Sequence, residues 1–199
     1  MGPVKKYKID SFIVEQGLEE VSGDIGFIQE NDQEVFIGLI DGSGHGPEAR
    51  EVAETCRKYI EDNRKMELTH LIKSLHDFIR GSRGCVAIIG SLDLENLQLN
   101  YVGVGNICLR KFGVSDERAL LGEGVIGYNI STPKEKRMQL QNGDVLIFHS
   151  DGIKSQFGIN DYPEIIKDEA KNIAINIARK FGKNDDDVTC IALRCTQIL

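Results

Sequence analysis

Apolar positions along this chain follow two periods in turn, and the places where the period changes outline the fold. Residues 7–14 (YKIDSFIV) and 34–40 (EVFIGLI) are short runs rich in β-branched and aromatic residues, the composition of strands. From residue 47 the period lengthens. Pro47 suits a first helical turn, where its missing N–H has no intrahelical partner to lose, and Glu48 and Glu51 complement the positive end; a helix is predicted over 47–63. Leu68, Leu71, Ile72, Leu75 and Ile79 then share one face of a second helix over 68–80.

After these helices the strand signal returns. Residues 85–92 (CVAIIGSL) and 97–103 (LQLNYVG) read as strands joined by the turn DLEN, with 106–112 (NICLRKF) as a third. Residues 135–140 and 144–149 flank QNGD, whose Asn-Gly pair predicts a hairpin. A helix over about 162–181 and a strand over 188–195 (VTCIALRC) complete the order. Strands, two adjacent helices, several hairpins, a helix and a strand describe an α+β fold with mostly antiparallel sheet. No repeat, low-complexity tract or linker divides the sequence, so residues 1–199 are read as one domain, large enough to bury about 70% of its unfolded surface.

Charge narrows the function classes. A net charge of −7 speaks against a nucleic-acid binder and against attraction to an anionic membrane. No apolar run nears the roughly 20 residues that span a bilayer, and MGPVKKYKID lacks the apolar core of a signal peptide. The five cysteines are odd in number and show no C-x-x-C spacing, so they read as reduced, buried side chains. A cytoplasmic protein is expected.

The segment LIDGSGHGPEA, residues 39–49, runs a buried strand into Asp41 and then into Gly42, Gly44 and Gly46. A dinucleotide fingerprint needs G-x-G-x-x-G inside a parallel βαβ unit; here the third glycine comes one place early and the rest of the chain is hairpins, which excludes it. The more informative pattern is in the acids. Asp24 precedes a strand-like stretch, Asp41 and Asp151 each end an apolar run and precede a glycine, and Asp185, Asp186 and Asp187 precede the last strand. Any one of these alone is an ordinary turn or cap residue. Several at the ends of core strands would converge on one rim, where their mutual repulsion calls for a hard divalent cation, and oxygen-only ligands favour Mg²⁺ or Mn²⁺. Glycines beside them would let backbone carbonyls approach the ion.

S-G-D at 22–24, D-G-S-G-H-G at 41–46, G-N at 105–106, H-S-D-G at 149–152 and D-D-V-T at 186–189 follow one another as in the PP2C-type metal-dependent protein phosphatases. The compact length and the G-H-G ending resemble the bacterial branch of SpoIIE, RsbU and RsbX, and most of all its free-standing stressosome phosphatases of the RsbX type. The resemblance covers residues 20 to 195. It implies a sandwich of two antiparallel β-sheets flanked by helices. It further implies two ions, Mn²⁺ or Mg²⁺, bridged by Asp41, with the Gly42 carbonyl on one and Asp151 and Asp186 on the other; Asp24 would contribute directly or through water. Asp41 and Asp151 are the candidate catalytic residues, and Asp187 is expected to orient the site. The substrates implied are phosphorylated STAS-domain stressosome proteins, dephosphorylated at serine or threonine by metal-activated water. The alternative is a non-catalytic docking module that binds a STAS-domain partner.

Departures from the family pattern matter. Ser43 stands where eukaryotic relatives often have a histidine, so His45 is expected to brace the loop. No arginine clearly matches their phosphate-binding residue; Arg83 and Arg110 are the candidates. With no sensor segment in the sequence, activity is expected to be constitutive once metal is bound.

Overall fold

The structure is a computed structural model that describes residues 6–198; the first five residues of the N-terminal stretch read above lie outside it. Strands β1 (Lys6–Gln16), β2 (Asp24–Glu30) and β3 (Glu34–Gly42) lead into helices α1 (Gly46–Asp62) and α2 (Leu68–Phe78). Strands β4 (Cys85–Asp93), β5 (Gln98–Val104), β6 (Cys108–Phe112) and β7 (Glu117–Arg118) follow, then the short pair β8 (Gly124–Val125) and β9 (Asn129–Ile130). The chain closes with β10 (Lys136–Gln139), β11 (Val145–His149), α3 (Ala170–Phe181) and β12 (Val188–Ile198).

Two five-stranded sheets result, ordered β1-β12-β11-β6-β7 and β10-β5-β4-β3-β2, with every strand pair antiparallel. The expected sandwich is therefore present. Alternation along the strands decides its layers. In β3, Val35, Ile37 and Leu39 meet Leu146, Phe148, Ile191 and Leu193 of the other sheet, while Phe36 and Ile40 turn outward to α1 and α2. On the opposite flank, Ile173, Ala174 and Ile177 of α3 pack against Ile147, Cys190 and Ala192. All five cysteines are free and buried.

Two sequence expectations fail here, for identifiable reasons. QNGD does form a tight turn, with Gly143 at φ +90° and the Asp144 carboxylate accepting from the Gln141 N–H at 2.8 Å. It does not join a hairpin. β10 pairs with β5 in one sheet and β11 with β6 and β12 in the other, so the turn carries the chain between layers. Turn chemistry fixes a local bend; it cannot say which strand each arm will find. The helix expected over 162–181 begins only at Ala170. Pro163 opens a separate 3₁₀ turn ending at Ile166, and the Ala170 N–H donates at 2.7 Å to the carboxylate of Asp10 in β1. The helix start is thus set by a residue remote in sequence, which local pattern cannot reveal.

Candidate metal centre

Both sheets deliver acids to the same rim. Asp24, the first residue of β2, lies directly opposite Asp41, the penultimate residue of β3. Asp151 follows β11, and Asp186 precedes β12, which pairs with it. Asp41, Asp151 and Asp186 line one cleft of about 940 Å³. Burial is the main cause that raises the Asp41 pKa from 3.8 to about 8, with the charges of Asp24, Asp151 and Asp186 adding to it. Burial likewise raises Asp24 to about 7, and it pushes Asp151 upward with help from Asp186.

Each carboxylate has a distinct setting. Asp24 is 2% exposed and its Oδ2 has no hydrogen-bond partner. Beneath it the buried Ser150 and Thr189 tie the ends of β11 and β12 together: the Thr189 N–H donates to Ser150 Oγ at 3.0 Å and the Ser150 N–H to the Thr189 carbonyl at 3.1 Å. Asp151 accepts from Asn106 Nδ2 at 2.7 Å, and Asp186 pairs with Lys183 at 3.5 Å. Asp187 is turned away from the cleft; it accepts from the Leu18 and Gly23 N–H groups at 2.7 Å each and pins the β1–β2 loop. As they stand, among the described residues, no three His, Cys, Asp or Glu side chains close on a single point. The chemistry of the set still fits a hard cation: oxygen ligands only, three carboxyls raised by burial and one buried oxygen without a partner.

The glycines of the two Asp-Gly pairs also have a packing role. A Cβ on Gly42 would press into the Ala49 carbonyl of α1, and one on Gly152 into the Asp187 carbonyl. In each Asp-Gly pair the glycine admits a neighbouring backbone, and Gly44 (φ +99°) and Gly46 (φ +75°) take left-handed conformations. Gly42→Ala is accordingly expected to lower metal-free stability by about 2 kcal/mol, read as a reduced urea midpoint in EDTA. An unchanged midpoint would return Gly42 to a purely ligand-facing role.

The remaining candidates divide clearly. Arg110 donates to the carbonyls of Ser155 and Phe157 and lies over the rings of Phe112 and Phe157, so it is unavailable to a phosphate. Arg83 pairs with Glu48. His45 does brace its loop, through Glu19 at 2.6 Å. His149 is buried, and burial lowers its pKa to about 4. His76 of α2 accepts from the Gly127 N–H at 3.0 Å and holds the β8–β9 turn. Sequence reasoning assigned no role to Asn106, Ser150, Thr189 or Lys183. The first three stand inside the quoted motifs, which was the available signal.

The family described as Stage II sporulation protein E (SpoIIE) matches residues 31–196. The chain belongs to the SpoIIE family. Its fold is that of the PP2C-type phosphatase domains of this family. Among relatives, phosphoserine phosphatase RsbX of Bacillus subtilis (strain 168) is 24% identical over 138 residues, which cover 68% of this chain and 69% of that protein. A solved structure from work on the bacterial stressosome, a modular system adapted to control secondary messenger signalling, is 28% identical with a TM-score of 0.84. The match covers 94% of this chain and 100% of that one. RsbX in complex with magnesium gives a TM-score of 0.83 at 20% identity, over 96% and 100% of the two chains. Among the described residues of this SpoIIE-family domain, no helix is long and apolar enough to cross a membrane.

Proposed function

We propose that the chain, residues 1–199 as one domain, is a Mn²⁺- or Mg²⁺-dependent phosphatase. Its substrates are phosphoserine and phosphothreonine in STAS-domain stressosome proteins of the cytoplasm. The observation that carries this reading is the meeting of Asp41, Asp151 and Asp186 from two sheets in one cleft, with Asp24 directly opposite Asp41 and burial and mutual repulsion raising Asp24, Asp41 and Asp151. Membership of the SpoIIE family and the likeness to RsbX support the substrate class.

In this reading Asp41 faces both halves of the site, with the Gly42 backbone and Asp24 on the β2–β3 side and Asp151 and Asp186 on the β11–β12 side. Two ions held there would supply a water of lowered pKa and offset charge on the phosphoryl oxygens. Asp41 and Asp151 hold the reacting groups in line, Ser150 and Thr189 fix the floor beneath Asp24, and Asn106 sets the rotamer of Asp151. No covalent intermediate is required of the protein.

The test is phosphate release from a phosphoserine STAS-domain protein with Mn²⁺ titrated against EDTA. Release that follows free metal is the expected result. Tight binding to the partner with no release at any metal concentration would replace this reading with that of a docking module.

A further inference from the structure

Beyond the acids, the cleft continues into a second hollow whose position follows from the sheet order. β7 is the last strand of one sheet and β10 the last strand of the other, so each has one side unpaired. Between them lies a trough of about 710 Å³, lined by Tyr101, by the cations Arg118, Lys136 and Arg137 and by the acids Glu117 and Glu135. Arg118 and Leu120 line this trough and the cleft of Asp41, Asp151 and Asp186 alike, so the two form one path. Leu120 stands at the junction with 71% of its surface exposed. A third hollow that Leu120 and Lys136 also line adds Lys134 and Glu123.

The trough by itself carries the opposite sign to the molecule, with Arg118, Lys136 and Arg137 set against Glu117 and Glu135. Among the described residues Arg118, Lys134, Lys136 and Arg137 form no ion pair, while Glu117 on the same wall is engaged by Lys111 at 3.3 Å. A concentration of free cations on a chain of net charge −7, next to a site built for a phosphoester, selects for an anionic ligand. Unpaired strand edges offer backbone donors and acceptors to an extended segment, and Leu120 offers apolar contact. Lysines also occur on sheet edges simply to repel other strands, and the experiment separates the two roles.

We propose that the trough between β7 and β10 receives the extended, acidic segment that flanks the phosphorylated residue of the protein substrate. This rests on the phosphatase reading and adds a rule of substrate choice to it. The acidic flank meets Arg118, Lys136 and Arg137, and Leu120 takes an apolar side chain between them and the phosphoester.

The test uses two phosphopeptides with one phosphoserine core, carrying either Glu and Asp or Lys on the flank, with Mn²⁺ present. The wild-type protein is expected to favour the acidic flank by about tenfold in kcat/KM, mostly through KM, and less at high salt. A Lys136→Glu, Arg137→Glu double variant is expected to reverse that order, with a melting temperature matching wild type as the folding control. Equal kcat/KM for the two flanks in wild type, or a preference that survives the charge reversal, would overturn the trough and leave edge protection as the role of these cations. Release from neither peptide overturns the phosphatase reading and the trough with it.

Discussion

Asp41→Asn is expected to lower metal-dependent phosphate release by about a thousandfold while raising the melting temperature of the metal-free protein. The loss follows from removing a charge that the proposed site needs in the transition state, where a single electrostatic contact contributes a factor of roughly 10²–10³. The gain follows from burial. Asp41 is raised from 3.8 to about 8, so the folded metal-free protein holds a proton that the unfolded chain gives up. Its contribution to stability is therefore undiminished below about pH 4 and falls as the pH rises to about 8. Asparagine has no such dependence. In EDTA the variant's advantage should be absent near pH 4 and widen toward pH 8, followed by thermal melting at each pH. A variant that melts below wild type at pH 8 in EDTA would make Asp41 a structural carboxylate and remove the main support for a cation there.

Asp187→Ala is the complementary case. Its carboxylate is 4% exposed and receives two backbone N–H groups, from Leu18 and Gly23, at 2.7 Å each. Alanine leaves both donors without a partner, at a cost of about 4 kcal/mol. At the few degrees per kcal/mol usual for a domain of this size, that is a fall of roughly 10 °C in Tm. Because Gly23 precedes Asp24, the released loop also loosens one wall of the site, and the Mn²⁺ requirement should rise by about 10- to 100-fold. Asp187→Asn keeps one acceptor and should recover part of both losses. A Tm within a degree or two of wild type would show that the Gly42 N–H to Gly23 carbonyl bond, at 3.2 Å, holds the loop unaided.

Comparing sequence with structure separates two kinds of information. Periodicity placed nearly every long strand and the first two helices, because each buries a face whose residues recur within a few positions. The acids were legible for the same reason: a carboxylate closing an apolar run is locally anomalous wherever the run ends up. What sequence left obscure depends on remote partners. Asp10 caps α3, Asn106 meets Asp151, and His76 holds Gly127, all across long separations. The packing role of Gly42 was also out of reach, since the Ala49 carbonyl approaches only after α1 folds back on β3. QNGD failed in the opposite sense: its local chemistry was read correctly, and the sheet assignment of its two arms was decided elsewhere.

The pairing of β1 with β12 has a consequence for the order of assembly. β2 to β5 form a meander from one continuous stretch, so that layer can begin to form once Val104 has left the ribosome. The other layer cannot. β12 sits between β1 and β11 and pairs with both, so Lys6–Gln16 must wait, without its partner, until Val188–Ile198 has been synthesised. Such non-local closure is slow relative to the meander. Asp186 takes its place beside Asp151 only in that last step, so the proposed site is assembled late, after the β2–β5 layer.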